Sequence, residues 1–382
     1  MFTPLKDLPE GKNWTLTELN DREVQLLLPV IIFISFTMVV GIAGNALVLY
    51  IHVIAFKLEL ATHRYFITFL ALADITFCMI CDPFIIGVLI HPYTFTNEDA
   101  CKSLRAFTYF NILVSILVLS VIAIDRYKRI CRPYGNQFSK RGIRTIFGII
   151  VFISFIFSIP CFILYGRNTV ETGVANITGI QCFPDDMYKD TLFPNTYVIF
   201  LYAVFIILTA TISVFYMLVW CQIRKHKHSL KAHAFFPATK RNTSSCTGET
   251  NGVELVSGPR KLFQNIIFDD VTKVDDPEKC TTECNKTNKP KKQAESTKTI
   301  RVSKMLFAVT AFFVLSFAPF LSLELLTLFD ERFIEDLDNT STVFYQLFWR
   351  TFAIHFMVNP FIYGVMDRRF RMECKKLVYK RL

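Results

Sequence analysis

The chain alternates long apolar stretches with short polar ones. The apolar stretches lie near 26–53, 66–90, 101–127, 145–165, 196–221, 302–328 and 342–365. Each is long enough to carry a helix across about 30 Å of hydrocarbon, which takes about twenty residues. A backbone in lipid must satisfy its own hydrogen bonds, so runs this uniformly apolar fit helices and not the alternating strands of a barrel. The pattern predicts an all-α fold, a seven-transmembrane helix bundle. Arg350 and His355 interrupt the last stretch, which is the weakest of the seven.

The polar segments divide the rest. Residues 1–25 are mixed polar with no apolar core, so they read as an external N-terminus without a cleaved signal peptide. The bundle is expected over 26–365, interrupted at 224–300 by a segment of Lys, Thr, Asn, Ser and Glu that is too polar to build a core and reads as a flexible loop. Its Cys280 and Cys284 lack companion ligands at zinc-like spacing. Residues 366–382, containing DRRFRMECKKL, read as a short amphipathic eighth helix and a tail. The chain shows no internal repeat, which counts against the repeat-built transporter folds.

Composition agrees with a membrane solvent: 52% of the 382 residues are hydrophobic and 39 are Phe, with a mean hydropathy of +0.37. Charge sets the orientation. Lys128, Arg129, Arg132, Lys140, Arg141 and Arg144 fall between the third and fourth stretches with no acid among them, which marks the cytoplasmic side. The segments 1–25, 91–100, 166–195 and 330–341 carry 6 Lys/Arg against 16 Asp/Glu and belong outside. The Asn-x-Ser/Thr acceptors Asn13, Asn176 and Asn339 fall on that outer side; Asn242 and Asn285 fall inside, where glycosylation does not reach. The expected location is the plasma membrane, multi-pass, with the N-terminus extracellular. No nucleic-acid partner is expected.

Polar markers recur in the apolar stretches. GIAGNALVLY places Asn45 in the first, LALAD places Asp74 in the second, and IDRY ends the third with Asp125, Arg126 and Tyr127. FVLSFAPF puts Pro319 in the sixth, and NPFIY closes the seventh with Asn359, Pro360 and Tyr363. Each match is short; all five, in order and each in its own span, are specific. On these motifs the chain resembles the rhodopsin-like, class A family of G-protein-coupled receptors, over nearly all its length apart from the N-terminus and the long loop.

The resemblance implies a receptor, not an enzyme, that activates heterotrimeric G proteins and is handled by arrestin and receptor kinases. It implies that Arg126 is held by Asp125 at rest and freed to meet the G protein; the alternative reading is a snorkelling anchor at the helix end. Asp74, an acid inside an apolar helix, must be paired, protonated or functional. In relatives the matching Asp holds a sodium ion, for which Asn111, Ser115 and Asn359 are the oxygen-bearing companions here; an ion-free polar cluster is the other possibility, and no organic cofactor is expected. Pro319 and Pro360 are expected to kink their helices. Tyr216 and Tyr363 match the family's inward tyrosines, and Phe313 and Ile116 match its transmission core. Cys101 and Cys182 correspond to the family's outer disulfide, and Cys374 to a palmitoylation site that anchors the eighth helix on membrane lipid.

The chain departs from the family pattern in several places. The fourth helix lacks its Trp, Leu208 stands where the fifth commonly has Pro, Phe317 replaces a sixth-helix Trp, and Thr299 replaces an acid that would clasp Arg126. Thr108 stands where amine receptors place an Asp, and residues 341–364 contain no Lys for a retinal Schiff base. The polar residues expected in the outer half are Asp82, Arg105, Thr108, Tyr109, Glu324, Gln346 and Arg350. Charges of both signs there suit an extracellular peptide, best a neuropeptide, drawn in by acidic outer loops. The competing classes are a receptor for a non-peptide small molecule, a seven-helix transporter or channel, which needs broken helices, and a membrane enzyme, which needs a clustered catalytic set.

Overall fold

The computed structural model describes residues 5, 12–55, 62–235, 288–329, 333–334 and 337–379. Six of the apolar stretches form helices long enough to cross a membrane: Leu28–Ala55, Thr62–Ile90, Glu98–Cys131, Lys140–Leu164, Phe193–Lys225 and Thr297–Thr327. Most overshoot the apolar windows, because polar caps just outside them start the helices. Asn97 Oδ1 accepts from Ala100 N at 3.0 Å, and Ser139 Oγ accepts from Gly142 N at 3.0 Å.

By element, α1 is Leu16–Leu26, α2 is Leu28–Leu49, α3 is Thr62–Thr76, α4 is Asp82–Ile90, α5 is Glu98–Cys131 and α6 is Lys140–Leu164. A hairpin of β1 (Tyr165–Glu171) and β2 (Thr178–Pro184) follows, then α7 (Phe193–Phe235), α8 (Asn288–Phe329), α9 (Asn339–Trp349), α10 (Ala353–Met366) and α11 (Arg368–Tyr379). Wide π turns extend α2 over Tyr50–Ala55 and join α3 to α4 over Phe77–Cys81. The second precedes Pro83, whose ring clashes with an ordinary α-turn carbonyl and which donates no N–H.

The seventh crossing differs from the unbroken helix that the sequence suggests. It is split into α9 and α10 at Arg350–Phe352. Tighter three-residue bonds bridge the break: Ala353 N donates to Arg350 O and Ile354 N to Thr351 O, both at 3.0 Å. The reason is local. The Arg350 guanidinium turns back onto Gln346, with Nη1 donating to its carbonyl at 3.0 Å and also to its side-chain oxygen, so the side chain is hydrogen-bonded inside the bundle instead of pointing outward.

One glycine–proline contact and one asparagine fix how α10 lies on α2. A Cβ at Gly44 would stand 2.8 Å from Pro360 Cγ, so only Gly admits this approach. One residue on, Asn45 Nδ2 donates to Phe356 O at 2.7 Å and to Gly41 O at 3.0 Å. Phe356 O lies one turn before Pro360, which has no N–H to offer it.

Residues 1–25 hold a structure that polarity alone did not predict. Thr15 and Glu18 form a reciprocal capping box that starts α1. Asn20 then fastens this helix: its Nδ2 donates to Ile90 O at 3.2 Å while its Oδ1 accepts from Tyr93 N and Thr94 Oγ1. The β1–β2 hairpin is the other surprise; Arg167 faces Cys182 in its register. The Cys101–Cys182 disulfide, Cα–Cα 5.5 Å, ties it to the start of α5.

Residues 226–295 make a separate unit, in which helical backbone is described to Phe235 and from Asn288. Cys280, Cys284, Asn242 and Asn285 lie outside the described residues.

Candidate functional site

The bundle has a hairpin end, carrying α1 and the β-hairpin, and a basic end, carrying Lys128 to Arg144. At the hairpin end, charges from four elements converge. Arg105 on α5 donates from Nη2 to Cys182 O at 3.5 Å and lies 5.4 Å from the Phe84 ring and 5.2 Å from the Tyr165 ring. It is in electrostatic range of Glu324 on α8 and of Arg350. Asp82, at the start of α4, is buried; neither of its oxygens has a hydrogen-bond partner, and the Cys78 thiol one turn back is its polar neighbour. Glu324 Oε2 is likewise buried and unpartnered. Among the described residues none of Asp82, Arg105, Glu324 and Arg350 is in an ion pair. A buried charge without an opposite charge at ion-pair distance is unfavourable in a low-dielectric site.

Of the other residues expected here, Tyr109 shares a 3.0 Å hydrogen bond with Tyr165, and Gln346 is buried under Arg350. Thr108 spends its hydroxyl on Leu104 O at 2.8 Å, so it shapes the wall more than it offers a donor. Sequence reasoning missed Tyr165 and Tyr345. Both close the chamber, Tyr345 in electrostatic range of Glu324 and Arg350. Nothing in their local sequence marks them, because an aromatic at the end of an apolar stretch is also what an interfacial anchor looks like.

Midway along the bundle, Asn359 Nδ2 donates to Asp74 Oδ2 at 2.7 Å, bringing two of the four expected cation ligands together. Asp74 Oδ1, Asn359 Oδ1 and Ser115 Oγ are buried without partners, an oxygen set that suits a hard cation. Asn111 is less committed: its Nδ2 donates to Phe107 O on its own helix at 3.0 Å. Among the described residues, no group of three or more His, Cys, Asp or Glu is arranged to hold a metal.

Beside this polar centre lies an aromatic one. Phe313 and Phe317 stack at 4.5 Å between ring centres, and His355 meets Phe313 edge-on at 4.7 Å. Phe317 thus occupies a packed position in α8, two residues before Pro319, and Ile116 is buried on α5. Both ring nitrogens of His355 are buried and unpartnered.

At the basic end, Asp125 is fully buried and pairs with Arg126, which is 2% exposed. Arg129 Nε adds bonds of 3.1 and 3.0 Å to the two carboxylate oxygens. All three residues are on α5, so these ion pairs lie within one helix. Tyr127 packs on Phe215 at 5.3 Å. Tyr216 is held by Thr310, whose hydroxyl donates to its OH at 3.3 Å; Tyr363 sits edge-on to His52 and Phe370 with its OH unpartnered. The two tyrosines therefore have separate neighbours. Sequence reasoning also missed His63, which faces Arg126 from α3.

On the periphery, Asn13 and Asn176 are exposed, and Asn176 sits at a turn with φ of 63°. Asn339 is half-buried as the first residue of α9. Cys374 on α11 is half-buried, and burial raises its thiol above the ordinary value.

The chain matches the family model described as 7 transmembrane receptor (rhodopsin family) over residues 44–363. It is 24% identical to the cholecystokinin receptor type A of Cavia porcellus over 364 residues, 91% of this chain and 79% of that one. It is 31% identical to the neuropeptide S receptor of Mus musculus over 199 residues, 50% of each chain. The crystal structure of squid rhodopsin has the same fold, with a TM-score of 0.63 at 20% identity over 95% of this chain and 86% of that one. Seven crossings, the five ordered motifs and a family match that runs from Gly44 to Tyr363 lead to one conclusion: this chain is a multi-pass membrane protein that belongs to the rhodopsin family of seven-transmembrane receptors, a family of receptors and not of enzymes.

Proposed function

We propose that the chain is a plasma-membrane receptor for an extracellular peptide, most closely of the neuropeptide kind, that activates a heterotrimeric G protein. The observation that carries this reading is the hairpin-end chamber, where two acids and two arginines on four elements lie near one another but form no ion pair among the described residues. A peptide brings both signs at fixed separation, so it can satisfy Asp82 and Glu324 with amines or guanidinium groups while Arg105 and Arg350 take a carboxylate or backbone carbonyls. Thr108, Tyr109 and Gln346 complete the wall. The matched relatives, a cholecystokinin receptor and a neuropeptide S receptor by name, support a peptide.

The N-terminus and the β-hairpin face outside, with sugar on Asn13, Asn176 and Asn339. Residues 1–25 then form the external segment, 26–365 the bundle with its loop at 224–300, and 366–382 the amphipathic helix and tail, palmitoylated at Cys374 and lying on membrane lipid. Ligand in the chamber shifts α8 about Pro319, through Phe317 and Phe313, while Pro360 lets α10 adjust. Thr310 then leaves Tyr216, Tyr216 approaches Tyr363, and Arg126 exchanges Asp125 for the G protein, with Tyr127 keeping α5 against α7. A sodium ion on Asp74, Asn111, Ser115 and Asn359 stabilises the resting form. Arrestin and receptor kinases act on the same basic end.

The test is a peptide-library screen on cells expressing the chain, read by calcium and by cyclic AMP. A peptide with saturable, nanomolar-to-micromolar potency is the expected result; activation by small non-peptide ligands alone would overturn the peptide assignment.

A further inference from the structure

Two free thiols come together at the basic end, one on α5 and one on α7. Cys131 is the last residue of α5, and its thiol donates across the helix boundary to Leu218 O on α7 at 3.7 Å. Leu218 precedes Cys221 by three residues on the same helix, and the carbonyl three residues back is one that a short helical side chain reaches. The Cys131 thiol therefore stands beside the Cys221 side chain, and the two sulfurs are in electrostatic range of each other. One turn earlier the Tyr127 and Phe215 rings meet at 5.3 Å, so the two helices already touch there.

Exposure sets this pair apart. Among the described residues six cysteines are free, and Cys78, Cys81 and Cys161 are buried away from any dissolved oxidant. Cys374 is half-buried on α11. Cys221 is exposed and Cys131 half-buried. One accessible thiol with a second within reach is the arrangement that reversible oxidation to a disulfide needs. A disulfide holds its two Cα atoms about 5.5–6 Å apart, so closing it draws this end of α7 onto α5. Packing permits that movement: in its most apolar window α7 is 6% buried, against 61% for α5, so α7 shifts with little loss of contact.

We propose that Cys131 and Cys221 are a peroxide-responsive pair whose disulfide ties α7 to α5 at the basic end. Hydrogen peroxide is the oxidant. The Cys221 thiolate attacks one peroxide oxygen and the O–O bond breaks, leaving a sulfenic acid and hydroxide, which takes up the thiol's proton as water. The Cys131 thiolate then attacks the sulfenic sulfur, forming the S–S bond and expelling a second hydroxide, which leaves as water with the second thiol's proton. Two thiols lose two electrons and one peroxide becomes two waters. Thiol reductants reopen such a bond, so it is a reversible state and not a permanent staple. Arg126 and Tyr127 lie just before Cys131, and Tyr216 lies just before Cys221. The closed bond therefore holds these groups at a fixed separation. This goes beyond the peptide assignment and does not rest on it.

The full chain, one copy per phosphatidylcholine nanodisc, is treated with hydrogen peroxide, and half of it afterwards with reduced glutathione. Remaining thiols are alkylated, and the chain is digested without reduction and mapped by mass spectrometry. A peptide linking Cys131 to Cys221 is expected after peroxide and should disappear after glutathione. In Cys131→Ser the linked peptide should be lost and dimedone should mark Cys221 as its sulfenic acid. Amide exchange over residues 216–225 should slow in the oxidised parent and stay unchanged in oxidised Cys131→Ser, a readout that needs no ligand. Peroxide that leaves both thiols open to alkylation, that links either of them to Cys374 instead, or that closes the bond without slowing exchange would overturn the pair as a switch.

Discussion

At the basic end, Asp125 holds both Arg126 and Arg129 on a single helix; at the hairpin end, Asp82, Arg105, Glu324 and Arg350 stand on four elements and none joins an ion pair among the described residues. The residue types are the same, yet one end is electrostatically closed and the other open. A pair within one helix survives relative motion of the helices, so it makes a latch that only an outside competitor releases. Charges spread over four elements are satisfied only by something that reaches all of them. Under the proposed function the first end releases the signal and the second captures the ligand.

The strongest way to break this contrast is at the latch. Arg126→Ala should abolish nucleotide exchange by the G protein while ligand still binds; exchange that persists would mean the basic end is a structural anchor. At the open end, Glu324→Lys should lower agonist potency by about thirtyfold or more, equivalent to ~2 kcal/mol for a buried charge left without its partner. An unchanged concentration–response curve would return Glu324 to packing. Between the ends, Asp74→Asn should remove the dependence of agonist affinity on sodium, about a several-fold change in competition binding; sensitivity that remains would place the ion elsewhere.

The smallest expected effect concerns α1, which Asn20 fastens to the end of α4. Glu23 is buried with Oε1 unpartnered, Tyr93 lies within electrostatic range, and burial pushes the carboxyl from 4.5 up to about 7. Because the folded value lies above the unfolded one, docking of α1 is strongest below about pH 4.5 and weakens as pH rises through about 7. Amide-exchange protection factors of Leu16–Leu26 should fall over that window and become flat in Glu23→Gln. A slope that survives the substitution would assign the titration to another group.

Much of this was legible because hydrophobic length and motif order are one-dimensional signals. Six of the crossings and the Cys101–Cys182 bond appear where the sequence placed them. The capping residues Thr15 and Glu18 were also in plain view, yet residues 1–25 read only as mixed polar, because the hydrogen bonds that fasten α1 run from Asn20 to the end of α4 and the turn after it. The break in the seventh crossing was marked by Arg350, but whether that charge turns outward or back onto Gln346 depends on neighbours that the local sequence does not name.

The sequence by itself determined that the chain crosses a membrane, how many times, and which residues interrupt the apolar runs, because the free energy of placing a side chain in hydrocarbon is a property of that residue and its window. Only the tertiary structure decided which interruptions meet. Asp74 reaches Asn359 across 285 positions of chain, Thr209 is left without a partner, and Phe205 touches Phe313. Such contacts follow from the rotation and spacing of packed helices, to which an apolar face contributes no directional signal.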